Sequence, residues 1–152
     1  MTFEIKPHYY KWAFPLEHRV GGPPGIVIHN SGSGPHTTVD DIHQWHLANG
    51  WSGIGYHVVV YPDGEIIRGR PVWAIGAHCL DHNNWLGICF IGNWDIQRTM
   101  PDAQMAAGHW LVERWQKIFR VSRHDVRRHK DMPNNSTDCP GTYFPFAKLL
   151  GG

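Results

Sequence analysis

His129 and Cys139 stand ten positions apart, across a polar loop closed by Pro140-Gly141. An imidazole nitrogen and a thiolate are both ligands for a divalent metal, zinc above all. Two ligands do not make a site. The upstream candidate for a third is His29, which ends the apolar run Ile26-Val27-Ile28. Three protein ligands leave a fourth position open to water, as catalytic zinc centres do. Such a centre supplies an activated water and a Lewis acid for a carbonyl. The spacing alone does not establish it. A nine-residue gap between His and Cys is not a compact metal signature, and twelve histidines make chance pairings easy. The competing reading is a core histidine, a surface histidine and a free thiol. His43 and His46 are a second pair able to share a metal, although such residues on an amphipathic helix are more often edge or surface positions.

Ligands of this kind need elements that hold them. Ile26 to Asn30 predicts a short strand buried on both faces, and His29 feeds from its end into the loop Ser31-Gly32-Ser33-Gly34-Pro35. Thr38-Val39-Asp40-Asp41 has the form of a capping box with Asp for the usual Glu, so a helix runs from there to about Asn49 and stops at Gly50. Tyr56 to Tyr61 is β-branched and aromatic, hence a strand. Pro62-Asp63-Gly64 turns it back, and Glu65 to Arg70 completes a hairpin. Residues 71–84 are irregular, and Leu86 to Gly92 is another buried strand. A second helix opens at Thr99-Met100-Pro101-Asp102 and continues to about Arg120, with Met105, Leu111, Val112, Trp115, Ile118 and Phe119 as its apolar stripe. Residues 142–150 predict a short terminal helix interrupted by Pro145. Residues 1–24 mix Tyr9, Tyr10, Trp12 and Phe14 with four prolines, which predicts an extended arm packed by its rings. The whole is a mixed α/β chain, α+β-like, with a central mixed β-sheet flanked by helices.

Composition narrows the function classes. With 152 residues the chain is long enough for one core, and we expect a single domain over 1–152. An apolar content of 41% against 18% charged residues suits a globular protein. The net charge of +1 gives no field that would select nucleic acid. Three cysteines, Cys79, Cys89 and Cys139, fit a reduced compartment or a metal ligand better than a disulfide framework. A Cys79–Cys89 bridge stays open for a protein working outside a cell. The N-terminus has no apolar core of a signal peptide, and no apolar run approaches the ~18–20 residues of a membrane span. Arg120, Arg123, Arg127, Arg128 and Lys130 form a basic stretch, read as a solvated face, with an anionic cell-wall polymer or membrane surface as the functional alternative.

From Ile26 to Pro140 the chain resembles the type-2 N-acetylmuramoyl-L-alanine amidase and peptidoglycan recognition protein family, which includes the amidase-type phage lysozymes. The pieces come in the family's order. Ile26 to Ser31 is similar to its first strand. Gly55-Tyr56-His57-Val58-Val59-Val60 with Pro62-Asp63-Gly64 is similar to its tyrosine-bearing strand and hairpin. Gly76-Ala77-His78, Leu86-Gly87-Ile88 and Gly92-Asn93 resemble its groove loop and next strand. Arg128-His129-Lys130-Asp131 and Thr137-Asp138-Cys139-Pro140-Gly141 resemble its last two ligand motifs. Carried over by position, the resemblance implies that His29, His129 and Cys139 bind one zinc ion at one edge of a surface groove. His124 competes for the second slot, but only His129 is followed by the Lys-Asp pair. Tyr56 would orient water or steady the oxyanion, with Thr137 as a hydrogen-bonding partner in that task. His78, Trp51 and Trp94 are the candidates for groove walls. The loop from His129 to Cys139 is longer than in many recognition proteins.

The resemblance implies a zinc hydrolase that cleaves the amide between N-acetylmuramic acid and L-alanine of bacterial peptidoglycan. No carboxylate in the matched motifs serves as general acid. Cytoplasmic muropeptide-recycling amidases usually carry an aspartate ligand where Cys139 stands here, which favours the wall-degrading branch. A phage endolysin is expected, monomeric and held in the host cytoplasm until lysis. The competing class is a recognition domain that binds peptidoglycan without cleaving it.

Overall fold

The computed structural model describes residues 2–152. Six strands form one sheet: β1 (Ile5–Lys6), β2 (Ile26–Asn30), β3 (Val58–Val60), β4 (Ile66–Arg68), β5 (Leu86–Phe90) and β6 (Val126–Arg128). Their spatial order is β1-β4-β3-β5-β2-β6. The β3–β4 hairpin is antiparallel, and the other four pairings are parallel. This is the mixed sheet expected, and its apolar strands are covered on both faces, as parallel strands require.

Period-two alternation divides the core. Ile26, Ile28, Val58, Val60, Leu86, Ile88 and Phe90 pack toward helix α2 (Asp102–Phe119), against Met105, Leu111, Val112 and Trp115. Val59, Ile67, Cys89 and Ile91 pack toward helix α1 (Val39–Ala48), against Val39 and Ile42. A short helix, α3 (Phe146–Leu149), adds Leu149 to the α2 side. By the same alternation His29 points to the α1 side, in register with Cys89 on β5. That register sets the floor of the site.

The helix ends follow their sequence signals. At α1 the Asp41 N–H donates to Thr38 Oγ1 at 3.2 Å and the Thr38 N–H to Asp41 Oδ2 at 2.9 Å, the reciprocal capping box. At α2 the proline lies at the N-cap, and the helix ends where Arg120 adopts φ 55°. Other bounds differ from expectation. Strands β3 and β4 are shorter than the predicted runs, although Gly69 N–H to His57 O and Arg70 N–H to Tyr56 O, each 2.9 Å, continue the ladder. The terminal helix starts only after Pro145.

Two strands have no counterpart in the sequence reading. The N-terminal arm supplies β1, which pairs with β4, and the arm then buries Tyr10 against α1. The basic stretch supplies β6, paired to β2. Its charges are mostly engaged locally. Arg127 lies over the Trp85 ring at 5.3 Å and pairs with Asp125, and Arg128 grips Asp131.

Candidate metal centre and active site

His29 is 1% exposed at the end of β2. Its Nε2 lies 2.9 Å from Nδ1 of His78, and Nε2 of His78 lies 2.8 Å from the Trp85 carbonyl. A carbonyl only accepts, so His78 donates from Nε2 and its Nδ1 carries the lone pair. Burial holds the His78 pKa down at about 3, which keeps that ring neutral. His29 must then donate from Nε2, and its Nδ1 is free as a ligand. That atom faces Cys139 Sγ at 3.7 Å. The His78 ring can lie against the sheet because Gly87 of β5 has no side chain. A Cβ there would stand 2.7 to 2.9 Å from three atoms of the ring.

The second and third candidates come from loops. Strand β6 runs beside β2, so the 3-10 turn His129–Asp131 that follows it brings the His129 ring to 4.6 Å from the His29 ring. Nε2 of His129 lies 2.8 Å from Asn135 Oδ1. Cys139 is tied in from three sides. Its carbonyl accepts from Lys130 N–H at 2.8 Å, its own N–H donates to Thr137 Oγ1 at 3.2 Å, and its Sγ accepts from Asn30 N–H at 3.4 Å. One donor atom each from His29, His129 and Cys139 lie within 4.8 Å of one another, a set that can hold a metal ion. Burial, with neighbouring His78 and His129, keeps His29 well below the ordinary histidine range, and burial lowers His129 too. Burial pushes the Cys139 thiol up to about 12, against the pull of the Asn30 N–H.

Tyr56 stands beside His29, ring centroids 5.0 Å apart. Burial first, then Cys89 and Cys139, raises its pKa well above the usual phenol value, so it remains an O–H donor. The loop before it is held from helix α1. Nδ1 of His43 accepts from Ile54 N–H and Nδ1 of His46 from Gly55 N–H, both at 2.9 Å. His43 also donates from Nε2 to Lys11 O at 3.1 Å, so neither of its nitrogens is left for a metal. Buried Arg70 donates to the carbonyls of Gly53, Ile54 and Ile75, clamping the same loop to the 71–77 segment. His46 lies between Trp51 and Tyr56, with its pKa lowered to about 4 by burial and then by Arg70. Its neutral ring carries the proton on Nε2.

Two of the expected groove walls are corrected. His78 is 8% exposed and sits behind His29, because Gly87 opens a slot for its ring. Trp94 is 0% exposed, stacked edge-on with Phe144 and donating Nε1–H to Thr99 O at 3.0 Å. Trp51 is 39% exposed next to His46, at the rim of the site. Thr137 keeps its hydroxyl on the Cys139 N–H, with its own proton available. His124 is exposed in the turn Arg123–Asp125, outside the donor group. All three cysteines are free, and Cys79 and Cys89 are buried. Nothing in the sequence marks Arg70 or Asn135 as site residues. The pairing of His43 and His46 on one helix carries a signal, and it points to a metal rather than to loop N–H groups.

Residues 20–142 match the family described as N-acetylmuramoyl-L-alanine amidase. The endolysin of Enterobacteria phage T3 is 37% identical over 121 residues, 76% of this chain and 78% of that protein. Among solved structures, an endolysin N-acetylmuramoyl-L-alanine amidase from Clostridium intestinale URNW superposes with TM-score 0.89 at 35% identity, over 97% of this chain and 93% of that one. Drosophila PGRP-LB superposes with TM-score 0.79 at 27% identity, again over 97% and 93%. The chain therefore belongs to the N-acetylmuramoyl-L-alanine amidase family and is an enzyme of it.

Proposed function

We propose that this chain is a zinc-dependent amidase that hydrolyses the bond between the lactyl carbonyl of N-acetylmuramic acid and the amine of L-alanine in peptidoglycan. The observation that carries the reading is the donor group His29, His129 and Cys139 beside a protonated tyrosine, in a chain of this family. Two nitrogens and one sulfur suit zinc. A nitrogen–sulfur edge of a tetrahedral zinc site is about 3.6 Å, and His29 Nδ1 lies 3.7 Å from Cys139 Sγ. When bound, zinc supplies a Lewis acid for the scissile carbonyl and an activated water.

The remaining work falls to the chain's own groups. His29 and His129 offer neutral rings whose far nitrogens are already engaged. Tyr56 donates its O–H to the oxygen on which negative charge develops. Thr137, whose Oγ1 already accepts from Cys139, donates its proton to the same oxygen. Trp51 and the Nε2–H of His46 form the wall against which the sugar and the first stem residue lie. Hydrolysis adds the water oxygen to the lactyl carbon and leaves the displaced proton on the alanine amine. The substrate is the glycan strand with its stem peptide. The chain acts as one domain and as a monomer, a phage endolysin that meets the wall at lysis. Its likeness to the phage T3 endolysin supports that setting.

The test is release of L-alanine amino groups from purified peptidoglycan. Release should stop with a chelator, return with zinc, and be absent in Cys139→Ser. Wall binding by the wild type without release would instead make the chain a recognition module.

A further inference from the structure

Asn135 lies in the nine-residue loop between His129 and Cys139. Its side chain is held by three backbone groups. Oδ1 accepts from Leu80 N–H at 3.2 Å, while Nδ2 donates to Leu80 O at 3.0 Å and to Pro133 O at 2.9 Å. A backbone N–H only donates and a carbonyl only accepts, so these partners fix which end of the amide is oxygen. That oxygen is also 2.8 Å from His129 Nε2. The nitrogen must donate, and the neutral ring keeps its lone pair on Nδ1.

We infer that Asn135 is a positioning residue for the metal: it sets the tautomer and the plane of His129 and couples both to the segment around Leu80. The inference rests on reading His29, His129 and Cys139 as a zinc site. Its two Leu80 bonds mimic a bridge between backbones, with a side-chain amide in place of one strand. Both ligand histidines then lead back to the same segment, His29 through His78 and His129 through Asn135. A second tie joins the same two loops without touching His129. Asn134 Nδ2 donates to Asp81 Oδ2 at 2.9 Å, and both residues have left-handed backbone, φ 64° and 66°. That tie is an internal control. A glycine at 134 would accept the backbone conformation while removing the bond.

Two measurements on the full chain test the idea, each on wild type, Asn135→Ala and Asn134→Gly. Nitrogen-15 NMR of the metal-free protein reads the His129 tautomer. The Nε2-protonated form should dominate in wild type and Asn134→Gly, and Asn135→Ala should give a mixture. Competition with a chromogenic chelator reads zinc affinity. It should fall by about 10–100-fold in Asn135→Ala and stay within about threefold in Asn134→Gly, on the scale known for groups that orient metal-bound histidines. Equal losses in the two variants would reduce Asn135 to a loop tether and overturn the inference. So would an unchanged tautomer and affinity in Asn135→Ala. A wild type that takes up no zinc would refute the metal reading itself, a result the NMR comparison keeps distinct.

Discussion

The two halves of the candidate metal centre are built differently. One half, His29 with His78 and Tyr56, rests on the sheet. The backbone of His29 sits in the ladder and that of Tyr56 in its continuation, His78 reaches in from the 71–84 segment, and the three side chains are fixed by a carbonyl, by each other and by His46 of helix α1. The other half, His129 to Cys139, is half-buried loop, held by side chains bonding to other loops. Stability should therefore be concentrated in the sheet half, while both halves are needed to hold the metal. Ligand substitutions give the largest and most direct way to break that contrast. His29→Ala and Cys139→Ser should each lower amidase activity by far more than the ~100-fold that an orienting partner is worth. In the metal-free protein they should part. His29→Ala leaves a cavity and an unpaired His78 nitrogen, costing about 2–4 kcal/mol in urea unfolding. Cys139→Ser keeps an acceptor for Asn30 N–H and should cost no more than about 1 kcal/mol. Equal costs would mean that the loop half is as deeply built into the fold as the sheet half.

Tyr56→Phe comes next in size. Removing one donor to a developing oxyanion costs about 10²–10³ in turnover. The phenyl ring keeps the packing on His29, so zinc content and unfolding midpoint should stay at wild-type values. A parallel loss of zinc would move Tyr56 from the chemistry to the scaffold.

The two halves also differed in how far they could be read from the chain. His29, His129 and Cys139 were legible because few residue types bind zinc and their surroundings matched a family in order. Strand β2, the α1 capping box and the α2 stripe were legible because their signals are local. His78 was misplaced because residues 71–84 look like an exposed loop, and what buries its ring is the missing side chain of Gly87, nine positions away. Trp94 was misplaced because Phe144, which covers it, arrives from the C-terminal segment. Strand β6 is not legible in the sequence because Val126-Arg127-Arg128 is short, charged and paired on one side only. Periodicity does show that His43 and His46 share a helix. It does not show that their Nδ1 atoms receive loop N–H groups.

Gly87→Ala sharpens the contrast without touching a ligand. The added Cβ would press on the His78 ring from a strand that cannot shift freely, at about 1–3 kcal/mol. Zinc affinity should fall with it, because His29 is oriented through His78. A variant as stable as wild type would show that the ring has room to turn.

Acid should act mainly on the sheet half. His29, His57 and His78 are buried and His46 mostly so, and burial lowers all four pKa values, to about 4 for His46 and about 3 for His78. In the unfolded chain these groups titrate near the ordinary ~6.5. Below that value the unfolded state binds protons that the folded state refuses. Their contribution is complete above pH 6.5 and is lost as the pH falls toward 4 and 3. Metal-free unfolding measured from pH 7 to pH 4 should show a steady loss, up to about 1.4 kcal/mol per pH unit for each histidine in its window. A flat profile would mean that these rings are not held neutral.

The smallest effect belongs to the loop half alone. Near pH 7 His29 and His129 are already neutral, since burial lowers both, and neither has a proton to give up to a metal. Cys139 is the reverse case, its thiol held protonated up to about 12. A zinc ion must take the thiolate, so uptake should release about one proton from Cys139, with a further fraction from the zinc-bound water that grows as the pH rises through ~7. Calorimetric titration with zinc in two buffers of different ionisation heat measures that number directly. A value near zero would mean that the thiol is already ionised in the metal-free protein, and the loop half would then be as pre-set for the metal as the sheet half.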